Sequence, residues 1–225
     1  MKTPADAASA AVLAFGGLRV PGALSGLRIH PAEGPADAAA IDAAIGPYRR
    51  LVVLGADADL AAVLSRLLRA DRLDVEVAYV PRRRTKATRV YRLPAGRRAA
   101  RRARRGTAGR VTLIRDETGS VVVGRADWLP ADGRRLRGEA VVDDTTLFDG
   151  DVAGVCIEPT LTMPGLRARV KPGVHNGLRR SRRVTGRAVQ LGSTGVAAVR
   201  DGVPAPRTTR RSAFYRNVEG WLLVR

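Results

Sequence analysis

Two short apolar runs, with an amphipathic segment between them, constrain the fold of this chain more than any other feature. Arg50–Gly55 is continuously apolar after its first residue and ends at Gly, a pattern typical of a buried parallel strand. Leu and Val then recur at helical spacing to about Ala70, and Val75–Val80 is a second β-prone run that ends before Pro81. The sequence therefore predicts one β-α-β unit, which requires a right-handed crossover.

The pattern changes after Pro94. Gly96–Arg105 is predicted to be a basic helix, and short β-prone runs separated by Gly, Asp and Pro follow it. These runs are Val111–Ile114, Val121–Val123, Gly138–Val142, Val152–Ile157, Leu166–Val170, Val184–Leu191, Val196–Val199 and Trp221–Val224. Runs of this length with regular turn signals indicate an antiparallel sandwich or barrel. The predicted fold class is α/β plus all-β: a small Rossmann-like α/β domain followed by an antiparallel β-sandwich.

The predicted domain boundaries follow from that change of pattern. Residues 1–95 form the α/β domain, in which residues 1–25 carry no clear signal. Residues 96–107 form a basic linker helix, and residues 108–225 form the β-sandwich domain. Within the last domain Ser193–Gly195 is predicted to be a β-turn.

Basic charge is concentrated in one short segment of the chain. The formal net charge is +19, yet residues 1–81 hold 8 basic and 9 acidic side chains. Residues 82–110 hold 13 basic side chains and no acidic one. The preference for Arg over Lys (37 of the 40 basic residues) is typical of a GC-rich, actinobacterial-like composition, but that bias left residues 1–81 neutral. Such a cluster attracts nucleic acid, anionic lipid headgroups or nucleotide phosphates.

The sequence lacks the residue patterns typical of a zinc site, a disulfide or a membrane span. His30, His175 and Cys156 are too far apart in sequence to form a zinc motif, and we expect no metal ligands among them. Cys156 is predicted to lie in the core of a strand, and a single cysteine fits a reducing compartment. The apolar stretch Ala11–Phe15 is far shorter than a signal-peptide core or a membrane span. We therefore expect a cytoplasmic protein, with peripheral membrane contact left open.

The first strand and helix of the β-α-β unit resemble a known family. Leu51–Leu64 is similar to the diacylglycerol kinase and related lipid kinase family, with NAD kinases as more distant relatives, in which an apolar strand runs into Gly-Gly-Asp-Gly-Thr-Leu. In that family the next strand ends at Pro before a second motif, as Val77–Pro81 does before Arg82–Arg89. A β-sandwich domain then carries Asp-Gly pairs, matched here by Asp149–Gly150 and Asp201–Gly202. The resemblance is one of layout and covers most of residues 48–225.

The departures from the family pattern concern its phosphate site. Gly55 and Asp57 match the glycine turn, but Ala56 and Ala58 replace two Gly residues, which crowds the approach of a phosphate to the backbone. Asp59 replaces a hydroxyl by a carboxylate that repels phosphate, by about 1 kcal/mol or more where it is partly desolvated. In the second motif, Arg and Lys replace the Gly and the Asn-Asp pair.

The resemblance implies catalytic roles for Asp57 and Asp201, although Val203 stands where the family has Glu. A helix N-cap for Asp57 and a turn for Asp201 are the structural alternatives. The predicted cofactor-binding residues lie in the glycine turn and at the end of the second strand, where α/β folds place ligands: Gly55, Asp57, Arg82, Arg83, Arg84 and Lys86. The predicted anion patch continues along the chain: Arg89, Arg97, Arg98, Arg101, Arg102 and Arg105.

Three functions remain open from the sequence. The leading one is a weakly catalytic or non-catalytic lipid-kinase-like protein whose basic crevice binds a phospholipid headgroup or a nucleotide phosphate. The second is an active ATP-dependent lipid kinase, which requires ATP and Mg²⁺. The third is a nucleic-acid or ribosome-associated protein that uses residues 82–110, although aromatic residues for base stacking are scarce there.

Overall fold

A computed structural model of the chain describes residues 10–46, 48–133, 135–172 and 182–225. The chain divides into two compact units. The first runs to Val111 and also includes Glu219–Arg225, and the second is Thr112–Val218. Within the described residues no helix is long and apolar enough to cross a membrane.

The first unit is built on a six-stranded sheet. Its strands are β1 (Ala10–Phe15), β2 (Arg28–Ala32), β3 (Arg50–Leu54), β4 (Glu76–Tyr79), β5 (Ala108–Val111) and β17 (Trp221–Val224). Their order is β2-β1-β3-β4-β17-β5. All neighbours are parallel except β17 and β5. The predicted α/β layer with parallel strands is confirmed.

Four α-helices accompany this sheet: α1 (Ala38–Ile45), α2 (Asp57–Arg69), α3 (Lys86–Val90) and α4 (Gly96–Arg105). A short 3₁₀ helix spans Gly22–Leu24. In α2 the predicted apolar face is fully buried at Leu60, Leu64 and Leu67, because helical spacing aligns these side chains. The prediction for β3, α2 and β4 is therefore confirmed in position as well as in type.

Strand β1 was missed by the sequence analysis, which left residues 1–25 without structure. It lies between β2 and β3, so it is an interior strand of the sheet. Residues Ala11–Phe15 are buried. A five-residue apolar run carries too little periodicity to be assigned alone, and only its pairing with β2 and β3 makes it a strand.

The second unit is an eleven-stranded antiparallel sheet, which confirms the predicted all-β half. Its strands are β6 (Ile114–Asp116), β7 (Val121–Val122), β8 (Ala126–Pro130), β9 (Leu136–Val142), β10 (Thr145–Val152), β11 (Val155–Pro159), β12 (Leu166–Val170), β13 (Arg183–Gly186), β14 (Ala188–Arg200), β15 (Val203–Pro204) and β16 (Thr209–Arg216). Trp128 and Phe214 lie in its core, with ring centroids 5.6 Å apart. Cys156 is buried in β11, as predicted.

Ser193–Gly195 is not the predicted β-turn but lies inside β14. Up to Ser193 this strand pairs with β9, and from Val196 it pairs with β8. Its register against β16 shifts between Gly192 and Val196. The small residues therefore mark the place where one long strand changes partners, a feature that turn propensity alone does not distinguish from a hairpin.

Helix α4 and the last strand differ from the predicted domain boundaries. The buried residues Ala99, Ala100 and Ala103 pack with Val52 and Val80 of the first unit, so α4 covers the sheet instead of linking two domains. The end of the chain also belongs to the first unit, because β17 pairs with β4 in parallel and with β5 in antiparallel orientation. These partners are distant in sequence, and local patterns do not reveal them.

The pairing of the C-terminal strand β17 with the first sheet can be tested at Trp221. This residue is 1% exposed, and the centroid of its ring lies 5.3 Å from that of Tyr91. Trp221→Ala should lower the free energy of unfolding by about 3–5 kcal/mol, because it empties a large buried site. Trp221→Phe keeps an aromatic ring there and should lose much less. Denaturant titration of both variants checks this, and equal small losses would show that residues 221–224 do not build the sheet.

Candidate functional site

A crevice of about 1000 Å³ lies at the carboxyl ends of the parallel strands of the first unit. It is lined by residues 17–23 after β1, by Leu54 at the end of β3, by residues 80–82 after β4, and by the first turn of α4 with Arg101. In the strand order, β2 lies to one side of β1, whereas β3 and β4, which follow β2 in the chain, lie to the other side of β1. This change of direction marks the switch point at which α/β folds place ligands. We call this cavity the strand-end crevice.

The charge of the strand-end crevice is entirely basic. Arg19, Arg82, Arg97 and Arg101 line it, and its lining contains neither Asp nor Glu. All four side chains are exposed, and none has a hydrogen bond or ion pair to any residue that the structure describes. Uncompensated guanidinium groups around a concave surface attract phosphate, which they hold through paired hydrogen bonds.

The N-terminus of α4 adds to this positive potential. Its N-cap residue is Ala95, which has no side-chain acceptor, and its first turn contains no acidic residue. Gly96 has φ +59 and donates its amide to the carbonyl oxygen of Pro81 at 2.8 Å, which holds the helix end beside β4. Arg97 and Arg98 in the first turn oppose the helix dipole at a cost of about 0.3–1 kcal/mol each. A bound anion offsets that cost.

A second basic cavity of about 750 Å³ lies between α4 and the α3 segment. We call it the helix pocket, and its arginines are Arg84, Arg89, Arg92, Arg98, Arg101 and Arg102. Arg101 lines both cavities. The sequence grouped the basic residues into a strand-end set and a helix set, whereas the structure draws each cavity from both sets. Arg83, Lys86 and Arg105 are exposed and line neither cavity.

The glycine turn after β3 is filled by a side chain of the protein itself. The carboxylate of Asp59 accepts a hydrogen bond from the amide of Ala56 at 2.7 Å, and Asp59 is only 8% exposed. A Cβ atom at Gly55 would overlap this carboxylate, which explains the retained glycine. Burial raises the pKa of Asp59 and the bond from Ala56 opposes this rise. The turn therefore holds a built-in anion at a backbone amide that could otherwise bind phosphate.

Asp57 is committed to holding neighbouring elements in place. It is the first residue of α2, since the N-cap position belongs to Ala56 and not to Asp57. Its Oδ1 accepts a hydrogen bond from the Tyr79 hydroxyl at 2.8 Å, and its Oδ2 accepts one from the amide of Ala87 at 3.2 Å. Burial and the charge of Asp57 raise the pKa of Tyr79, which keeps that hydroxyl a donor. Asp57 thus fastens the start of α3 to the end of β4.

Asp201 belongs to the second unit, where it organises a turn between β14 and β15. It has φ +48, and its carboxylate accepts bonds from the amides of Val123, Gly124 and Arg125 at 2.8–2.9 Å. These contacts are those expected of the turn alternative. His30 lies in β2 and contacts Tyr48, whereas His175 lies outside the described residues.

Arg19 is the crevice residue that the sequence analysis missed. A signal for it existed, because Ala11–Phe15 followed by Gly16 and Gly17 repeats the pattern of Leu51–Gly55, an apolar run closed by Gly. Without a known partner strand, this short run was not sufficient to predict a strand. Because β1 is parallel to β3, and β3 is parallel to β4, the loop after β1 must lie at the same edge of the sheet as Arg82.

The described structure resembles solved kinases over nearly its whole length. A diacylglycerol kinase from Bacillus anthracis strain Sterne superimposes with a TM-score of 0.73 at 9% identity, covering 96% of each chain. An NAD kinase from Archaeoglobus fulgidus in complex with ATP superimposes with a TM-score of 0.60 at 10% identity, covering 96% of this chain and 93% of that chain. This chain has the diacylglycerol kinase and NAD kinase fold. No protein-family model and no curated protein matches the sequence.

The built-in carboxylate has a testable pH dependence. Because burial raises the pKa of Asp59 above its usual 3.8, folding favours the protonated acid. The stabilisation by this group is fully present below pH 3.8 and is lost as the pH rises through the folded-state pKa. Asp59→Asn keeps the acceptor for Ala56 without the charge, so it should be at least as stable as the wild type at pH 7.

Urea titrations across pH 3 to 7 measure this effect, and the advantage of Asp59→Asn should shrink towards the acidic end. Glu33→Gln is the control, since Glu33 is an exposed acid of the same unit. A variant Asp59→Asn that is less stable than the wild type at pH 7 would contradict a net cost of the buried charge.

Proposed function

We propose that this protein is a degenerate diacylglycerol kinase-like protein that binds a phosphate-bearing ligand in the strand-end crevice and transfers phosphoryl groups weakly or not at all. The observation that carries the proposal is the position of four arginines at the switch point of the sheet, which have no ion pair with any described residue, in a cavity whose described lining contains no carboxylate. This is where the fold class binds ligands, and four guanidinium groups are available there to a phosphate.

The chemistry of the crevice favours phosphate over other anions. Guanidinium groups present planar pairs of donors that match two phosphate oxygens, and the positive end of the α4 dipole, which no acidic residue in the first turn offsets, adds attraction. Phospholipid headgroups and nucleotides share this phosphate chemistry. A headgroup as ligand implies peripheral contact with a membrane, and a nucleotide as ligand does not.

The glycine turn does not fit the phosphates of ATP. An incoming phosphate meets the Asp59 carboxylate on the Ala56 amide, and two anions at about 4 Å repel by roughly 4 kcal/mol at an effective dielectric constant of 20. The ATP-bound NAD kinase shows that the fold is compatible with a nucleotide. In this chain the residues that replace the glycines argue against the same use, and no catalytic step is assigned to ATP or Mg²⁺.

An active lipid kinase is the less favoured alternative because its acids are already engaged. Both oxygens of Asp57 accept hydrogen bonds from the protein, and the Asp201 carboxylate accepts three from backbone amides. A group that transfers a proton or binds a metal needs free acceptor positions facing the substrate.

Recognition of single-stranded nucleic acid is also less favoured. Tyr91 is the aromatic residue of the basic segment, and it is 1% exposed because its ring packs against Trp221. It therefore offers no platform for base stacking, which supplies about 1–3 kcal/mol per base in such proteins. Binding to a nucleic acid would depend on charge alone.

The crevice is tested by a matched pair of neighbouring arginines. Arg82 lines the strand-end crevice and Arg83 lines neither cavity, although the two carry the same charge. Arg82→Ala should weaken binding of glycerol 3-phosphate about tenfold or more, since a charge-assisted hydrogen bond contributes roughly 1.5–3 kcal/mol. Arg83→Ala should change it little. Isothermal titration calorimetry at constant salt measures both.

Vesicles that carry phosphatidic acid and a non-hydrolysable nucleotide, titrated separately, distinguish the headgroup from the nucleotide as source of the phosphate. If Arg82→Ala and Arg83→Ala lose the same amount of affinity, the phosphate binds to a diffuse charged surface and not in the crevice. Absence of binding in all arms would remove the proposed function.

The degeneracy of the glycine turn makes a separate prediction. Wild-type protein should bind Mg-ATP with a dissociation constant above about 1 mM, which corresponds to less than about 4 kcal/mol. The combined changes Ala56→Gly, Ala58→Gly and Asp59→Thr remove the carboxylate and uncover the amide, so they should tighten Mg-ATP binding. Micromolar affinity of the wild type for Mg-ATP would instead support the kinase.

A further inference from the structure

The helix pocket and the strand-end crevice lie on adjacent faces of α4. Consecutive residues of this helix line different cavities: Arg97 lines the crevice, whereas Arg98 lines the helix pocket. Arg101 lines both cavities. Because an α-helix turns by about 100° per residue, Arg97 and Arg98 point in different directions, and the two cavities share no arginine except Arg101. A function assigned to the crevice therefore leaves the helix pocket unexplained.

Six arginines converge on the helix pocket without compensation. Its lining contains no acidic residue, and none of its arginines forms an ion pair with a residue in the described ranges. Leu93 is buried and, with Pro94, gives the pocket an apolar floor. A concave basic surface with an apolar floor excludes part of the solvent and strengthens each charged contact.

Arg92 adds an independent observation. It has φ +54, the left-handed conformation, at the C-terminal end of α3. The amide of Leu93 there donates to the carbonyl of Thr88 at 2.9 Å. Gly is the favoured residue at such a helix end, because a side chain strains the backbone in that conformation. An arginine occupies this strained position, and it lines the pocket.

The walls of the helix pocket are held by contacts that do not use its arginines. Thr85 and Thr88 cap α3 reciprocally, at 3.1 Å and 2.8 Å, and Asp57 binds the amide of Ala87. The guanidinium of Arg50 donates to the carbonyls of Ala103 and Gly106 at 3.0 Å, which fixes the end of α4. The pocket is therefore preorganised, and less ordering is needed when a ligand binds.

We propose that the helix pocket is a second phosphate-binding site, distinct from the strand-end crevice and linked to it through Arg101. Its ligand class is a phosphate monoester or diester group. This inference goes beyond the proposed function, because the helix pocket can bind phosphate whether or not the crevice does. Since Arg101 lines both cavities, removal of its side chain weakens both sites.

The experiment compares neighbouring positions of one helix. Titration calorimetry of the whole chain with glycerol 3-phosphate should show two sites. Arg97→Ala should abolish the crevice site and leave the helix-pocket site, and Arg98→Ala should do the reverse. Both variants remove one charge and place Ala, the best helix former, at an exposed helical position, so folding is retained. Arg101→Ala should weaken both sites about tenfold or more.

Arg92→Gly separates ligand binding from stability. Glycine relieves the left-handed strain, so the melting temperature should stay equal or rise, while the helix-pocket site weakens about tenfold. Unchanged binding at that site in Arg92→Gly or in Arg98→Ala would overturn the proposal. The proposal is supported if Arg82→Ala and Arg97→Ala lose only the crevice site and still bind phosphate in the helix pocket.

Two further arms identify the source of the phosphate and test the alternative of a charged surface. If vesicles of phosphatidylcholine with phosphatidic acid bind the wild type but not Arg98→Ala, the helix pocket binds the phosphate of a lipid headgroup. If inorganic phosphate binds the wild type but not Arg98→Ala, the helix pocket binds a free phosphate anion. An RNA oligonucleotide whose affinity falls equally in Arg83→Ala and Arg98→Ala, without resolvable small-phosphate sites, overturns it in favour of a diffuse surface.

Discussion

The parallel pairing of β1, β3 and β4 is the constraint on which the candidate site depends. Parallel strands end at the same edge, so the loop after β1, the end of β3 and Arg82 after β4 must meet there. The buried alanines of α4 seat the helix on this sheet, and the amide of Gly96 binds the carbonyl of Pro81. The arginines of α4 are thereby brought to the edge, and burial of small apolar side chains decides where the positive charge lies.

The acids of the chain serve the fold and leave the arginines uncompensated. Asp59 binds the Ala56 amide, Asp57 joins Tyr79 to the start of α3, and Asp201 gathers three amides in the second unit. Each of these three carboxylates accepts hydrogen bonds from the protein itself, and no arginine that lines the two cavities forms an ion pair with a described residue.

Local patterns were sufficient where an element buries one regular face. The apolar run of β3, the leucine spacing of α2 and the basic run of α4 each predicted the element, and the sequence also singled out Arg82, Arg97 and Arg101. The predictions failed where long-range pairing decides the structure. Strand β1 is defined by its pairing with its neighbours, and β17 pairs with β4 although the residues of the second unit lie between them in the sequence.

The sequence by itself determined the two fold classes, the concentration of charge in residues 82–110 and the loss of the glycine turn, because these depend on residue type and short spacing. Only the tertiary structure decided that the arginines divide between two cavities on adjacent faces of α4, and that Arg19 lines the strand-end crevice. It also decided the roles of Asp57 and Asp59, since a carboxylate can bind a ligand or a backbone amide and the sequence does not say which donor lies nearer. Charge is a property of the residue, but whether it is free depends on which distant groups the packing of the sheet brings within hydrogen-bond distance.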